Sequence, residues 1–169
     1  MEKNNSATIF LVEDNEMFAE TLSVSLRNQG FIVHSFRSGE QMISSWEYDP
    51  DIILLDYFIE SPLGFAMNGE KILRFIRRIT KNLPVVMLTS NSDIGEATSL
   101  LKQGAVDFIV KDDDLVPNLE KTLKQILDSV KLREEMAINT MKIKKYRKRF
   151  LIIALIVAMA AIILLLISS

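Results

Sequence analysis

The chain lacks the residues on which several classes of protein depend. Its 169 residues include no cysteine, which excludes disulfide frameworks and thiolate metal sites. A single histidine, His34, excludes a metal site built from several histidines. No acidic residue follows Glu135, so residues 1–141 carry a net charge of −8 and the remainder +6, which together give the overall −2. Because a nucleic-acid binder presents a basic face on its folded domain, the acidic body argues against nucleic acid as a partner.

The C-terminal part has neither a charge nor a polar side chain over residues 150–167. As a helix with a rise of about 1.5 Å per residue it would be roughly 27 Å long, close to the hydrocarbon thickness of a bilayer. We therefore predict a transmembrane helix here; the alternative, a buried core helix, is less favoured because no polar face is left for water. The small residues Ala154 and Ala158 have the spacing of a helix-packing motif, which allows a homodimer.

A basic segment precedes the apolar one, with six lysine and arginine residues in 142–149. Such clusters stay on the cytoplasmic side of a membrane and attract anionic lipid. We therefore expect a single-pass tail anchor in the cytoplasmic membrane, with the N-terminal domain in the cytoplasm and membrane lipid as a partner. No output domain is expected after the span. Residues 1–6 are polar, lack the apolar core of a secretory signal, and are predicted to be disordered.

Hydrophobic periodicity predicts five strands that alternate with five helices in a domain covering residues 7–130. Short units of this kind form a parallel α/β sheet with right-handed crossovers. Beyond the domain, residues 131–149 are too polar to bury and are predicted to form a helical, basic stalk. The predicted strands cover 7–12, 31–36, 51–55, 85–88 and 106–110, and the predicted helices cover 15–28, 38–46, 69–79, 92–103 and a last one from about Pro117.

Four apolar residues lie between Asp51 and Asp56, as in a strand buried on both faces. Asp56 stands where this run ends, at the carboxyl end of the strand, and in open α/β sheets ligands bind at that edge. Either aspartate could also merely cap an end of the strand. Asp56 is nevertheless the residue that we expect to carry the chemistry, because other polar side chains are predicted to lie at the same edge.

Those side chains follow three further strands, and neighbouring strands lie about 4.8 Å apart, so they can share one pocket. Carboxylates placed together repel each other unless a cation lies between them, and a hard cation such as Mg²⁺ suits oxygen ligands. A metal, an ammonium group, a hydroxyl and a carboxylate nucleophile are the groups that phosphoryl transfer needs. The predicted pocket contains Glu13, Asp14, Asp56, Thr89 and Lys111.

These residues carry a family resemblance. Residues 7–130 resemble the receiver domain of two-component response regulators, in which an acidic pair, LLD, LTS and DFIVK occur in this order at similar spacings. The resemblance implies a five-stranded parallel sheet in the flavodoxin-like order 2-1-3-4-5. It also implies a phospho-accepting signalling domain, which is not an enzyme beyond assisting its own phosphorylation and dephosphorylation.

The resemblance further assigns roles to single residues. Asp56 would accept phosphate from a histidine kinase or phosphotransfer protein, Thr89 would bind the phosphoryl group, and Lys111 would pair with it. Phe108 would be the aromatic switch that moves with Thr89. A downstream protein would then read the face formed by helix 4, strand 5 and helix 5. The implied Mg²⁺ ligands are Glu13, Asp14, Asp56 and the backbone carbonyl of Phe58.

The chain departs from the family's pattern in two loops. Pro62 comes six residues after Asp56, and Asn68-Gly69 comes at twelve and thirteen, so this loop is about five residues longer than usual. Asp112 follows Lys111 where a cis-proline is common, and we expect a trans bond because a cis bond without proline costs about 3 kcal/mol. Insertions in loops cost little stability, so the changes bear more on partner docking than on the fold.

Two other functions are open. A phosphorylation-independent membrane adaptor built on the receiver fold is favoured by the altered loops and opposed by the intact pocket. A metal-dependent phosphatase with an aspartyl nucleophile ranks last, because Phe58 stands where a second aspartate would be needed. The same apolar Phe58 offers no group to orient water, so slow self-dephosphorylation is expected. On spacing alone, Phe108 is a core residue, His34 a half-exposed strand residue, and residues 112–114 a solvated turn.

Overall fold

The structure, a computed structural model, describes residues 6–59, 68–90 and 94–167, and the side chains of all these residues except 94, 96, 97, 154 and 156–167. The described part contains five strands that alternate with five helices, as the sequence predicts. In chain order these are β1 (Thr8–Val12), α1 (Glu16–Asn28), β2 (Ile32–Phe36), α2 (Gly39–Ser44), β3 (Ile52–Asp56), α3 (Gly69–Ile79), β4 (Val85–Thr89), α4 (Ile94–Lys102), β5 (Asp107–Val110) and α5 (Leu115–Ile167).

All neighbouring strands of the sheet are parallel, and their order is β2-β1-β3-β4-β5. This confirms the predicted flavodoxin-like order. The register sets Leu55 beside Val12, Asp56 beside Leu88 and Thr89 beside Val110. The carboxyl ends of the strands therefore lie along one edge of the sheet, and Glu13, Asp56, Thr89 and Lys111 lie in or directly after them.

The central strands are buried on both faces. Every residue of β3 and of β4 is buried, which explains why both read as continuous apolar runs rather than as alternating patterns. One face of the sheet packs into a core cluster with side chains from α2, α3 and α4; its buried members are Phe10, Val12, Phe36, Met42, Ile53, Leu55, Ile59, Ile72, Leu73, Ile76, Val85, Met87, Leu100 and Ala105.

Two helix ends differ from the prediction. The helix predicted to reach Trp46 ends at Ser44 and is followed by one 3₁₀ turn, Trp46–Tyr48. The last helix begins at Leu115 rather than near Pro117. The first hydrogen bond of the helix runs from the Asn118 amide to the Asp114 carbonyl at 3.0 Å, which puts the start at Leu115, directly after Asp114. Proline is tolerated two residues later because the amides of the first helical turn have no partner within the helix.

The apolar stripe of α3 does not reach the end of the helix. Ile72 and Ile76 are buried, but Ile79, which has helical spacing with them, is 54% exposed. The physical reason is position: α3 ends at Ile79, and the next residue, Thr80, has an extended backbone that leads the chain away from the helix. A side chain at the last helical position therefore lies beyond the sheet that covers the rest of the stripe.

Several predictions fall on residues that the structure does not describe. Pro62 and the inserted loop lie in 60–67, and the predicted first residues of the fourth helix lie in 91–93. Within the described residues, no helix has the combination of length and hydropathy that a membrane crossing requires. Most of the predicted span, namely 154 and 156–167, lies outside the side chains described here, so the span stays a prediction.

The chain divides into two compact units, residues 1–123 and 124–169. The first contains the sheet and the predicted pocket. In the second, α5 continues as a helix in which every residue from 131 to 153 is exposed.

Candidate functional site

The side chain of Lys111 joins two buried carboxylates at the carboxyl edge of the sheet. Its Nζ lies 2.6 Å from Glu13 Oε2 and 2.9 Å from Asp56 Oδ2. Glu13 directly follows β1, Asp56 ends β3, and Lys111 directly follows β5, so three strands place the three groups. Because the sheet is parallel, residues far apart in sequence end at the same edge, and the structure brings these predicted site residues together.

Asp14 completes an acidic cluster at this edge. Carboxylate oxygens of Glu13, Asp14 and Asp56 all lie within 4.8 Å of one another. Glu13 and Asp56 are buried, whereas Asp14 is partly exposed, so the cluster is open on one side. Three hard oxygen donors around a small space with access to water are a donor set that fits Mg²⁺, which usually keeps several water ligands. The residues present therefore fit the cation that the resemblance implies.

Burial disfavours the charged form of the carboxylates in this pocket. Burial raises the pKa of the Asp56 carboxyl, while the hydrogen bond from Lys111 and the charge of Lys111 act to lower it. Burial likewise raises the pKa of the Glu13 carboxyl, again against the hydrogen bond from Lys111. One ammonium group is thus shared between two carboxylates that are poorly hydrated. A further cation in the pocket would relieve this imbalance.

The backbone around Asp56 leaves room for only a glycine at the start of α3. A Cβ atom on Gly69 would lie 2.2 Å from the backbone oxygen of Asp56, and the Gly69 amide donates to the Tyr57 carbonyl at 3.2 Å. Asn68 caps the helix through its side chain, which accepts a hydrogen bond from the Lys71 amide. The Asn68-Gly69 pair, read in the sequence only as a displaced motif, therefore fixes how closely α3 approaches the pocket.

The amide of Phe58 also contributes to the pocket, since it donates a hydrogen bond to Asp56 Oδ1 at 3.2 Å. The Phe58 side chain is about half exposed and packs edge-on against the ring of Tyr57. The backbone of Phe58 therefore lies beside the carboxylate of Asp56. Its carbonyl as a Mg²⁺ ligand stays a prediction.

Phe18 is a neighbour of Lys111 that the sequence did not reveal. The Lys111 ammonium lies 4.7 Å from the centroid of the Phe18 ring, within the range of a cation–π contact. In α1, Phe18 has helical spacing with Leu22 and Leu26, which are buried, so spacing alone would place Phe18 in the core. Only the distance to a residue 93 positions later shows the second contact, and no local pattern could have indicated it.

Thr89 and Phe108, the predicted switch pair, lie on adjacent strands. Thr89 is buried at the end of β4, and its carbonyl accepts a hydrogen bond from the Lys111 amide at 2.8 Å. Phe108 lies beside Met87 in the register and packs, half-buried, against the core cluster. Their positions suit the predicted roles, which stay predictions.

Other residues singled out in the sequence lie outside the pocket. Asp51, at the amino end of β3, accepts a hydrogen bond from the Thr8 amide at 2.8 Å and so joins two strands. His34 is partly exposed and stacks on Tyr48, with ring centroids 4.6 Å apart. Residues 112–114 are exposed, as expected for a solvated turn. The described residues contain no cis peptide bond, so the Lys111–Asp112 bond is trans.

The doubly wound parallel sheet with an acidic pocket at its carboxyl edge defines the class: a flavodoxin-like α/β domain. A family model described as the response regulator receiver domain matches residues 9–131, and the chain belongs to this family. The finding confirms the resemblance drawn from the acidic pair, Asp56, Thr89 and Lys111. As a receiver domain, it is a phospho-accepting signalling domain of two-component systems.

Curated relatives are response regulators. The chain is 34% identical over 104 residues to "DNA-binding response regulator MtrA" of Mycolicibacterium paratuberculosis, which covers 61% of this chain and 44% of that protein. It is 27% identical over 121 residues to "Cell cycle transcriptional regulator CtrA" of Caulobacter vibrioides, covering 69% of this chain and 50% of that protein. The chain thus spans about half or less of the length of these relatives.

Solved structures show the same fold. A response regulator from Chloroflexus aurantiacus is 27% identical with a TM-score of 0.64, and the match covers 73% of this chain and 99% of that one. NtrX from Brucella abortus has a TM-score of 0.70 at 24% identity, over 78% of this chain and 29% of that one, which supports the fold alone.

Proposed function

We propose that the chain is a membrane-tethered receiver that accepts a phosphoryl group on Asp56 and passes the signal on by binding a partner protein. The observation that carries this proposal is the position of the Lys111 ammonium, between Glu13 and Asp56 and beside the open acidic cluster that includes Asp14. A structural ion pair would need one carboxylate. Here one ammonium contacts two carboxylates and a third, that of Asp14, lies in the same cluster, so the pocket has oxygen ligands for a further cation, which with Lys111 would attract a phosphoryl group.

The proposed reaction is transfer from a phosphohistidine of a histidine kinase or a phosphotransfer protein. The P–N bond breaks, a carboxylate oxygen of Asp56 forms the new P–O bond, and the imidazole leaves and takes up a proton. Lys111 moves from pairing with the carboxylate to pairing with the phosphoryl oxygens, and the Thr89 hydroxyl donates to one of them. Glu13, Asp14, Asp56 and the Phe58 carbonyl would hold Mg²⁺, which supplies positive charge to the same oxygens.

The proposed output is a shift between two states of the domain. Phosphorylation would draw Thr89 toward the phosphoryl group, and Phe108 would turn inward into the space next to it. The face formed by α4, β5 and α5 would then bind a downstream protein. Such a response is a population shift biased by a local change of charge.

The proposed location is the cytoplasmic side of the cytoplasmic membrane. It rests on the sequence of 150–167, which lacks charge, and on the basic cluster 142–149 before it, which would contact anionic lipid. Membrane fractionation of the full chain tests this part. The chain should stay with the membranes after an alkaline wash, whereas release into the supernatant would reject the anchor and leave the phospho-acceptor proposal untouched.

Phosphorylation is tested on the full chain in detergent micelles with Mg²⁺ and a small-molecule phospho-donor. Intact-mass measurement should show the gain of one phosphoryl group, which Asp56→Asn abolishes. Asp113→Asn, which removes an exposed aspartate of the turn after β5, is the matched control and should leave the gain intact. No gain in the wild-type chain, or a gain that survives Asp56→Asn, would reject the proposal.

The adaptor alternative is tested by measuring signalling in cells, since an intact-mass measurement does not address it. If Asp56→Asn supports normal signalling, the fold acts without phosphorylation. The lifetime of the phosphorylated state is a separate expectation. Phe58, two residues after Asp56, has an apolar side chain that cannot orient water, so self-dephosphorylation should be slow, and a lifetime of seconds would contradict this.

A further inference from the structure

The exposed part of α5 carries an apolar row along one side. Here the stalk stripe denotes Leu132, Met136, Asn139, Ile143, Tyr146, Phe150 and Ile153. All of them lie in the second compact unit, and each of the six apolar members is more than half exposed. Large apolar side chains scattered singly on a surface need no explanation, but a continuous row of them marks a surface that binds something.

The spacing within the stalk stripe alternates between four and three residues over three heptads. This is the period of 3.5 residues that keeps one side of a helix facing a partner helix in a left-handed coiled coil. Every charged residue between 132 and 153 falls at another heptad position. The stripe is therefore a seam of a/d positions, with Met136, Ile143 and Phe150 at one position of the heptad.

The charges around the stripe argue for a partner helix rather than a membrane surface. A helix that lies on a bilayer turns its basic residues toward the headgroups beside the apolar face. In α5 the basic cluster surrounds the stripe, and Lys145 and Lys148 lie on the side opposite to it. Packing in the lipid plane would direct these two lysines away from the lipid, whereas in a coiled coil they occupy outer positions in water.

Two further features indicate that the partner is a second copy of this chain. Asn139 is the one amide side chain in the stripe, and in a parallel pair in register it meets its own counterpart, with which it can form a hydrogen bond. Asp128 and Arg133 flank the seam at the positions that approach each other between parallel helices, with opposite charges. Lys142 and Arg147 occupy the equivalent positions with like charges. Because 142–149 carries six basic residues and no acidic one, repulsion between the two copies outweighs the one attractive pair, and salt that screens it should strengthen the pairing.

We propose that the stalk stripe pairs two copies of the chain in a parallel, in-register, two-stranded coiled coil. Two receivers would then be held at high local concentration before any phosphorylation, so that contacts between them need little intrinsic affinity. The proposal concerns the stalk and the first residues of the predicted span, 150–153, and does not depend on phosphate at Asp56.

The absence of native cysteine gives a direct test by single-cysteine cross-linking of the full chain in membranes. In a parallel pair in register, a cysteine at a stripe position lies opposite its own copy. Met136→Cys is therefore expected to form a disulfide-linked dimer under mild oxidation, as are Ile143→Cys and Phe150→Cys. Met141→Cys is the matched control, because Met141 is 70% exposed against 58% for Met136 but lies on the opposite side of the helix.

The expected result is at least fivefold more dimer from the stripe cysteines than from Met141→Cys, with more dimer at higher salt. Equal cross-linking at all positions, or none at any, would overturn the proposal, and cross-linking at only one stripe position would indicate antiparallel helices and overturn it as well. Ile143→Asp in the Met136→Cys chain should reduce the dimer by a similar factor. The thermal transition of the receiver should not change, which separates loss of pairing from loss of folding.

Discussion

Two cationic side chains in the first unit are held in opposite ways. Lys111, at the carboxyl edge of the sheet, pairs with the carboxylates of Glu13 and Asp56. Arg77, in the last turn of α3, donates to backbone carbonyls among the described residues: its Nη2 reaches the Gly104 oxygen at 2.7 Å, and its Nη1 reaches the Leu83 oxygen at 2.8 Å. Each is partly withdrawn from water, so the difference lies in the partners.

The partners decide what each cation can do. Backbone carbonyls do not titrate and cannot move away from the cation. The carbonyls of Leu83 and Gly104 accept hydrogen bonds from Arg77, which joins the turn after α3 to the turn before β5. Arg77 therefore acts as a structural brace. The carboxylates around Lys111 are acceptors that a metal or a phosphoryl group can take over, and their burial with one shared cation is unfavourable. In this domain the partly buried cation among carboxylates therefore marks the candidate pocket, and the partly buried cation among carbonyls marks a structural contact.

The largest effect should come from removing the brace. Arg77→Met leaves the carbonyls of Gly104 and Leu83 without their charged donor, and we expect a loss of about 3 kcal/mol in the free energy of unfolding. Chemical denaturation of the first-unit transition measures it. Arg78→Met, at the exposed neighbouring position, is the matched control and should stay within about 0.5 kcal/mol of the wild type. If the two variants lower the free energy of unfolding equally, Arg77 contributes no more to stability than the exposed Arg78.

Magnesium should act on the carboxylates around Lys111 and not on the Arg77 brace. A cation that binds the folded acidic cluster stabilises it by about 2.7 kcal/mol at one hundred times its dissociation constant. The free energy of unfolding should therefore rise with magnesium concentration and return on chelation. Asp14→Asn should remove most of the rise, whereas Asp113→Asn should keep it. A rise of the same size in both variants would place the binding elsewhere.

Asp56→Asn should stabilise the domain when divalent cations are chelated. Because burial raises the pKa of the Asp56 carboxyl, the folded state holds the proton more tightly than the unfolded state. The stability that this provides is present at acid pH and is lost as pH rises from about 3.8, the ordinary value, through the raised pKa. At neutral pH the charge is a cost, and replacing it should add about 1 kcal/mol.

The pH profile sharpens this test. The gain from Asp56→Asn should shrink toward zero as the pH falls to the ordinary pKa of the carboxyl. Asp51→Asn is the control and should give no such gain, because the asparagine oxygen can still accept the hydrogen bond from the Thr8 amide. If both substitutions destabilise the protein at neutral pH, the buried charge of Asp56 does not lower the free energy of unfolding.

Much of this arrangement follows from sequence because parallel sheets have simple rules. Apolar runs of four or five residues locate the strands, and their carboxyl ends must share an edge, so Glu13, Asp56 and Lys111 could be brought together without coordinates. Helix starts at Asn15 and Ser38 were also readable, since both side chains accept a hydrogen bond from the amide three residues later. These features depend on local chemistry or on topology.

What could not be read depends on close approach between distant segments. The tight fit of Gly69 against the backbone of Asp56 needs the path of α3, and the brace needs the turns at Leu83 and Gly104 to meet at Arg77. Nothing local distinguishes Arg77 from Arg78. Phe18 belongs to the same group, because a ring on an apolar stripe gives no sign that a lysine almost a hundred residues later ends above it.

The smallest expected effect concerns this contact between Phe18 and Lys111. Phe18→Leu keeps an apolar side chain but removes the ring, and a double-mutant cycle with Lys111→Met isolates the cation–π term from the loss of packing. We expect a coupling of about 0.5 kcal/mol in the free energy of unfolding. Phe18→Tyr, which keeps the ring, should retain it. If Phe18→Leu costs the same with lysine and with methionine at 111, the ring only fills space, and Lys111 is positioned by its carboxylates alone.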